Sequence, residues 1–430
     1  MKKTIITLLM CAAGIGAAAQ TSSQNYILTR RMVNETAGDY TDLVTYYDGL
    51  GRPFEEVTRH TKQNSVAERH ASLQEYDNLG RPVRSWLPAS VTSDYTAPAT
   101  LKGYAQNSSQ GYNDTRPYTE TVYELSTADR VMMQYGPGAA WYSAHPVTTQ
   151  YTTNTASGVQ SCKVYGVSGN SLTGGSTYHT AGTLHVVKTT DEDGRVSYTF
   201  TTGDGLTLLE RRMNGTEQLD TYYVYDSLGR LRFVLQPMYQ STASTDQYAF
   251  EFRYNEKGLC TYRKNPGAQY VTYEYDWKDR LAYTQDGVQR SSGKWTFYTY
   301  DGVGRPSSQG ENTSKASSTS GEYLKNHYDS YSFVGSTGFT SSLYTSDTSL
   351  SGWGKLTGQV IGIPGSSTKI YVAYYYDAKG RVKRKVESNL LGGHEVTETT
   401  YTFTGQAVHG DAHPHGERED HTHGEVHLCV

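Results

Sequence analysis

The chain has few cysteines, with four in 430 residues: Cys11, Cys162, Cys260 and Cys429. Cys11 lies in an N-terminal segment predicted to be removed on export, so an odd number remains, far apart in the chain. This excludes the dense disulfide framework of small secreted domains. Burial and hydrogen bonding must therefore stabilise the fold, and a chain of this length supplies enough of both for one large or two medium-sized units.

An excess of basic charge and long apolar runs are also missing. Lys and Arg number 39 against 43 Asp and Glu, giving a formal net charge of -4 at pH 7. The basic surface that nucleic-acid binding requires is therefore absent. Beyond the N-terminal segment, no stretch approaches the roughly 20 consecutive apolar residues of a membrane-spanning helix. We predict no nucleic-acid partner and no transmembrane segment in the mature chain.

Catalytic motifs are missing as well. The sequence contains no Gly-x-Ser-x-Gly, no His-Glu-x-x-His and no Gly-x-x-x-x-Gly-Lys-Ser/Thr, which are the patterns of nucleophile, zinc and phosphate sites. The segment 191–194 resembles the start of a calcium loop but lacks the later acidic ligand. We predict a non-catalytic protein with no catalytic residue, no cofactor and no assigned metal site.

What the sequence does contain begins with an export signal. Two lysines precede the apolar run 4–15 and the small residues 16–19, which is the arrangement of a secretory signal cut after Ala19. The mature chain is predicted to be exported to the cell surface or the medium, with the periplasm as a further location. Lipid anchoring at Cys11 is the alternative.

Tyrosine and glycine are abundant, at 38 and 43 residues, and both contribute to a repeat. The pattern Tyr-Asp-x-x-Gly-Arg, called the hexad below, occurs intact five times. Its defined residues are Tyr47, Asp48, Gly51 and Arg52; Tyr76, Asp77, Gly80 and Arg81; Tyr225, Asp226, Gly229 and Arg230; Tyr300, Asp301, Gly304 and Arg305; and Tyr376, Asp377, Gly380 and Arg381. Degenerate copies span 190–195, 254–259 and 275–280.

Each position of the hexad suits a β-hairpin turn. The Tyr is expected to end a strand with its ring on the buried face, and the Asp side chain to accept a hydrogen bond from an amide two residues further on. The Gly supplies the positive φ that closes the turn. The Arg begins the outgoing strand within reach of the Asp carboxylate. These residues are predicted to be structural turn residues.

The residues beside the hexads alternate as strands do. Leu231, Phe233 and Leu235 share one face and Arg232 lies on the other, which predicts one face at a core and the other facing water. Most tyrosines are expected to pack in the sheet interface. Because an isolated hairpin is barely stable, the hairpins are expected to pair side by side.

The hexads resemble those of the RHS/YD-repeat proteins, and the region from about Tyr26 to Trp141 resembles an uncharacterised N-terminal domain of secreted members. The resemblance implies an all-β fold in which antiparallel β-hairpin repeats form a spiralling, shell-like sheet after an N-terminal strand-rich domain. The predicted organisation is a signal peptide at 1–19, the N-terminal domain with two hexads at 20–150, the repeat sheet at 151–408 and a His-rich polar tail at 409–430.

In that family, hairpin arrays form hollow shells, some enclosing a toxin, and other members are surface proteins that contact carbohydrate or neighbouring cells. The resemblance therefore implies a non-catalytic scaffold or shell fragment whose partner is a protein cargo or a downstream shell segment. The alternative is a cell-surface module that binds glycans or another cell. The sequence has no Asp-Pro pair, so the family's self-cleaving motif is not carried over. We expect a member truncated before the shell core, with an open sheet edge.

The tail is the strongest candidate for metal binding. It holds six histidines: His409, His413, His415, His421, His423 and His427. Such tracts bind zinc, nickel or copper, but a polar terminus offers no fixed framework for a structural site. Adventitious binding to a nickel column is therefore expected instead of a resident metal. The Ser-rich and Thr-rich segments 307–321 and 336–351 are predicted to be long loops.

Overall fold

The computed structural model describes residues 24–32, 39–63, 65–315, 321–345, 352–363, 366–402, 405 and 407–415, the last with backbone only from residue 408. The predicted signal peptide, the histidine side chains of the tail and all residues after 415 lie outside the described residues. Strands dominate the described part, and the predicted all-β fold class is confirmed. None of the helices in these ranges has the length and hydropathy needed to cross a bilayer.

The strands alternate with short connections. Strands β1 to β14 are Asn25–Met32, Tyr40–Tyr47, Pro53–Lys62, Ser65–Tyr76, Pro82–Ser90, Tyr118–Tyr123, Val131–Tyr135, Val147–Thr153, Lys163–Ser168, Ser171–Tyr178, His185–Thr190, Val196–Thr201, Thr207–Asn214 and Glu217–Tyr225. Strands β15 to β27 are Leu231–Leu235, Ala249–Tyr254, Cys260–Lys264, Val271–Tyr275, Leu281–Gln285, Trp295–Tyr300, Pro306–Asn312, Glu322–Asp329, Gly352–Gly362, Lys369–Tyr376, Val382–Ser388, His394–Tyr401 and Ala407–His415.

The helices are short. Helices α1 to α5 are Pro98–Gln106, Ala139–Tyr142, Tyr239–Thr242, Thr245–Tyr248 and Gly287–Ser291, and a 3-10 helix spans Ser342–Tyr344. Helix α1 has a proline in its first turn, where the missing amide proton costs nothing. Its Leu101 and Ala105 are buried, so α1 covers one face of the strands beside it.

The first of two compact units contains the described residues up to Gly166 together with Leu172–Tyr223. In it β1 to β8 pair antiparallel in chain order, β8 pairs with β11, and β11 to β14 again pair in chain order. Strands β9 and β10 form a separate two-stranded sheet. Pairing continues past residue 150, because β8 contacts both β7 and β11. The domain boundary predicted at 150 remains a prediction.

The second unit contains Val167–Ser171 and the residues from Val224 onward. Strands β16 to β27 each pair antiparallel with the strand before them. Strand β27 extends to His415 and corrects the tail predicted from residue 409. The free edge of β26 offers backbone hydrogen bonds to an extended segment, and β27 accepts them. The composition of the segment did not indicate this pairing between β26 and β27.

One of the two predicted loops is partly wrong, and the other is a loop that is packed against the sheet. Strand β21 continues to Asn312, so the first half of the predicted loop 307–321 is paired strand. In the predicted loop 336–351, Phe339 and Tyr344 are buried against the sheet. A few aromatic side chains are enough to fix a segment whose other residues are small and polar.

The core of the first unit follows the period of the strands. Val44 and Tyr46 on β2 and Val57 on β3 are fully buried. The face opposite the apolar residues is not always exposed to water, which corrects the simple alternation expected of β15. Arg232 on that face is buried, and its guanidinium donates to the carbonyl of Phe252 at 2.7 Å.

Buried ion pairs interrupt this core. Arg59 lies between Asp42 and Asp94 and donates to both carboxylates, at 2.7 Å to Asp94. Burial on its own raises the pKa of Asp42, but hydrogen bonds from Arg30 and Arg59 outweigh it and lower the pKa. Breaking one partner of such a buried pair is strongly destabilising, because it leaves the other charge uncompensated.

Glu55 lies in the same core without a cation among its hydrogen-bond partners. Its Oε1 accepts from the Thr96 amide at 3.0 Å, and its buried Oε2 has no hydrogen-bond partner among the described residues. Burial raises the pKa of Glu55 to about 7, against the opposing effect of the Thr96 amide. The folded protein therefore binds a proton here that an unfolded chain releases near pH 4.3.

This proton makes a prediction about pH dependence. Because the folded pKa lies above the unfolded one, the Glu55 contribution lowers the free energy of unfolding as pH rises from about 4.3 to about 7. Glu55→Gln is expected to raise that free energy by up to about 3 kcal/mol at pH 8 and by much less at pH 5. Urea unfolding at both pH values measures it. Glu56→Gln at the exposed neighbour is the control, and an equal effect of the two variants would contradict the account.

Candidate functional site

The intact hexads close one recurring turn. At 225–230, the Asp226 amide donates to the Arg230 carbonyl and the Gly229 amide to the Asp226 carbonyl, both at 3.0 Å. Asp226 Oδ1 accepts from the amides of Leu228 and Arg230 at 3.0 Å, and Oδ2 accepts from Arg230 Nε at 2.9 Å. The other intact hexads repeat this pattern.

The hexad glycines adopt the left-handed backbone region. Gly51, Gly80, Gly229, Gly304 and Gly380 have φ of 78°, 84°, 73°, 93° and 80°, where a residue with a Cβ is strained. The degenerate copy at 275–280 has Asp279 in this position at φ 62°. Aspartate is one of the few other residue types that tolerate this geometry.

The turn also lowers the pKa of its aspartate. At Asp48 the Arg52 amide has the largest effect, followed by the Arg52 guanidinium, and the pKa lies below the usual value. The pKa of Asp77, Asp226, Asp301 and Asp377 is lowered in the same way. At the last three, burial is the largest single influence and acts upward, but the amides and the arginine together outweigh it. These carboxylates are therefore ionised at neutral pH and accept the hydrogen bonds of the turn as anions.

The arginine of one hexad also contacts the next hairpin. Arg52 Cζ lies 4.6 Å from the ring centroid of Tyr76, whose hydroxyl donates to the Pro53 carbonyl at 2.7 Å. We call this pairing the arginine–tyrosine clamp. It recurs in Arg81–Tyr123, Arg230–Tyr254, Arg280–Tyr300, Arg305–Tyr328 and Arg381–Tyr401.

Several of these arginines donate to the following turn as well. Arg230 Nη1 donates to the Asn255 carbonyl at 3.0 Å and Arg381 Nη1 to the Thr402 carbonyl at 3.2 Å. Arg305 pairs with Asp329 at 2.9 Å and, as the largest influence, lowers the pKa of that carboxyl to about 2. One guanidinium thus joins its own aspartate, a neighbouring ring and a neighbouring turn.

The clamp places the hexad tyrosines differently from the prediction. On β2, β14 and β24 the buried residue is the one before the hexad Tyr: Tyr46, Val224 and Tyr375. The hexad Tyr lies on the opposite face and is half-buried at the strand end. The expectation that most tyrosines fill the sheet interface is likewise wrong for Tyr76 and Tyr300, whose rings pack beneath Arg52 and Arg280.

A β-bulge accompanies these tyrosines. Tyr300 pairs with Pro306 whereas Thr299 pairs with Ser308, and similar register shifts precede Tyr47, Tyr76 and Tyr376. A bulge increases local twist and re-aims a side chain. The ring lies under the preceding arginine at Tyr76 and Tyr300, and under Lys355 at Tyr376.

The degenerate copies keep the turn and lose parts of the clamp. At 254–259, Asn255 replaces Asp and still caps the amides of Lys257 and Leu259 at 3.0 and 2.9 Å. Leu259 replaces the arginine, and the Tyr275 hydroxyl still donates to the Cys260 carbonyl at 2.8 Å. The copy at 190–195 lies at the opposite sheet edge from the intact hexads of its unit, because the β9–β10 insertion precedes β11.

Two further turns have the same backbone pattern without the hexad sequence. In 202–206 the Thr202 hydroxyl accepts from the Leu206 amide at 3.1 Å, and in 389–393 the Asn389 side chain accepts from the Gly393 amide at 2.9 Å. Gly205 and Gly392 supply the positive φ. A capping side chain three residues before a glycine was the signal in the sequence for both.

The hexad side chains are spread along the sheet rather than gathered at one point. Within the described ranges, no group of three or more His, Cys, Asp or Glu residues is placed to hold a metal ion. A hollow of about 420 Å³ lies along 66–70 and 90–92, and one of about 340 Å³ lies beside Phe54 and Trp86. Neither hollow brings several hexads together. The hexad side chains instead recur along an edge of each unit and are used in structural contacts.

Comparisons with known proteins agree with this architecture. Residues 20–154 match a family model described as a domain of unknown function, DUF6443. The chain has no match among curated proteins. The fold, however, is shared with solved structures.

Those structures include the Photorhabdus luminescens Tc holotoxin pore with a mutated TccC3, at 14% identity over 90% of this chain and 19% of that chain, with a TM-score of 0.52. They also include TcdB2-TccC3, at 13% identity, 91% and 20% coverage and a TM-score of 0.53. TcdB2-TccC3 without its hypervariable C-terminal region is 14% identical over 90% of this chain and 19% of that chain, with a TM-score of 0.53. The chain spans about a fifth of the length of these chains.

The turn geometry predicts a contrast between two glycines of one hexad. Gly51 has φ 78°, whereas Gly49 does not have a left-handed φ, and a Cβ at either meets no atom within 4 Å. Gly51→Ala is therefore expected to lower the free energy of unfolding by about 1–2 kcal/mol through backbone strain alone. Gly49→Ala should be close to neutral. Chemical denaturation of both variants measures this, and equal stabilities would contradict the turn assignment.

The clamp predicts a measurable cost for removing one hydroxyl. Tyr300 donates to the Leu281 carbonyl at 2.9 Å, so Tyr300→Phe is expected to lower the free energy of unfolding by about 1 kcal/mol. Tyr248→Phe in the same unit is the control, since no hydroxyl partner of Tyr248 occurs among the described residues. Thermal or urea unfolding compares the two variants. A Tyr300→Phe protein as stable as the wild type would show that the hydroxyl hydrogen bond does not stabilise the clamp.

Proposed function

We propose that the chain is a non-catalytic scaffold, a strip of hairpin repeats that forms part of the wall of an exported shell around another polypeptide. The observation that carries this proposal is the arginine–tyrosine clamp. A wall requires each hairpin to be tied to the next by the same contacts, so that the strip can be extended. An active site requires converging groups, whereas these side chains are distributed along a sheet edge.

The shared fold supports this proposal. The match to the Tc structures extends over 90% or more of the chain. The N-terminal sequence supports export through the signal at residues 1–19. This chain covers only about a fifth of the length of the Tc chains it matches. Both the cargo and the chain that would complete the wall are therefore part of the proposal.

A second candidate is a surface module that binds carbohydrate. It is favoured by Trp277 and Trp353, two strongly exposed indoles, because exposed aromatic rings stack on sugar faces and their N–H groups donate hydrogen bonds. A glycan array with the mature protein tests it. Binding that is lost in Trp277→Ala would support this candidate, and an array without signal would remove it.

Cryo-electron microscopy of the protein purified from the secreted fraction of its own source tests the scaffold proposal. We expect the hairpin strip to be accompanied by a further polypeptide against one of its faces, either as cargo or as a continuation of the wall. A strip whose faces both contact solvent only, in a preparation that turns over a substrate or binds glycans, would contradict a shell role.

A further inference from the structure

One edge of the second unit carries exposed apolar side chains at the tips of its connections. Leu228, Trp277, Val303 and Trp353 are 72%, 82%, 78% and 80% exposed. Antiparallel strands bring every second connection to the same edge. Leu228, Trp277 and Val303 belong to such connections, and Trp353 is the second residue of β23 at the same edge. We call this set the tip row. Large apolar side chains that recur at exposed positions along one edge are a candidate surface for contact with a partner.

Direct contacts join the tips into a continuous row. Lys257 of one turn pairs with Asp279 of the next at 2.7 Å. The Trp353 segment is held by a hydrogen bond from the Gly354 amide to Asp329 at 2.7 Å. Asp329 in turn pairs with Arg305 from the turn that displays Val303. The positions along the row are therefore, in order, Leu228, Lys257, Trp277, Val303, Trp353 and Lys379.

The turn carboxylates at this edge are already neutralised. The hexad carboxylates Asp226, Asp301 and Asp377 each pair with their own arginine, and Asp276 pairs with Arg280. A partner that covers the row does not leave these charges unpaired. The chain has a formal net charge of -4, which disfavours an anionic lipid surface as the partner.

We propose that the tip row binds the tip row of a second copy of this chain about a two-fold axis between the Trp277 and Val303 tips. A two-fold contact is self-complementary, so residue i faces j and j faces i. Here Trp277 faces Val303 of the second copy, and Lys257 faces Trp353, a cation–π pairing. Leu228 faces Lys379. No lysine faces a lysine in this register.

The contact is small, so the dimer is weak. An aromatic side chain buries about 150–250 Å², and the central tips together offer less than the roughly 1,200–2,000 Å² of standard stable interfaces. The association is expected to depend on concentration in the micromolar range. It is independent of whether the chain encloses a cargo, so a failed shell proposal leaves it intact.

Sedimentation equilibrium of the mature protein tests the proposal. Val303→Asp is expected to weaken self-association at least tenfold, and Lys379 shows that this hexad position accepts a charged residue. Leu50→Asp is the matched control, since Leu50 has the same hexad position in the first unit and is 79% exposed. It should leave the association unchanged. A wild type that stays monomeric at several hundred micromolar, or equal loss in the two variants, would overturn the proposal.

A charge exchange tests the register itself. Trp277→Lys and Val303→Asp should each be monomeric alone, whereas their equimolar mixture should form a dimer, because the introduced ammonium of one copy faces the introduced carboxylate of the other. A mixture that remains monomeric would overturn this register. Cosedimentation of the wild type, but not of Trp277→Lys, with vesicles of phosphatidylcholine and phosphatidylglycerol would assign the row to a membrane and also overturn the proposal.

Discussion

The structure depends on the geometry of one guanidinium. Arginine presents its donors in a fixed plane, so it can bind a carboxylate along one side, donate from another and stack on a ring with its face. In Arg230 these uses are all present: Asp226 in its own turn, the Tyr254 ring and the Asn255 carbonyl of the next turn. Lysine has no such plane. The hexad therefore ties a hairpin to its neighbour through a residue that also closes its own turn.

This arrangement separates the roles of two tyrosine positions. The residue before the hexad, such as Tyr375, is buried in the core, whereas Tyr376 is half-buried at the rim and donates to the Leu356 carbonyl. There Lys355 replaces the arginine over the ring, at 4.7 Å from its centroid. Core burial stabilises each unit and the rim contacts fix the spacing of its hairpins.

The sequence was sufficient for the turns and the fold class. The hexad names its capping carboxylate, its left-handed glycine and the arginine, because these roles depend on local backbone geometry. It was insufficient for the face of the tyrosine. Adjacent pairs such as Tyr46-Tyr47 and Tyr375-Tyr376 satisfy either register, and the bulge that selects one depends on pairing between strands.

Long-range contacts were equally invisible in the sequence. Nothing near Glu55 indicates that Thr96 caps it or that its other oxygen is buried without a partner. Likewise, β27 pairs in a segment whose composition indicates a polar tail, because a neighbouring edge decides its structure. In the hexad pattern, the exposed tip residues occupy the two variable positions, so the pattern did not predict their role. Their alignment along one edge required the strand order.

A double-mutant cycle between Arg280 and Tyr300 tests the central claim most directly. Arg280 Cζ lies 4.4 Å from the ring centroid of Tyr300, and its Nη1 has no hydrogen-bond partner among the described residues, so the cycle isolates the contact between guanidinium and ring. With Arg280→Met, Tyr300→Leu and the double variant, we predict a coupling free energy of about 1 kcal/mol. Additive effects, with a coupling indistinguishable from zero, would contradict the claim that the arginine of one hairpin holds the next.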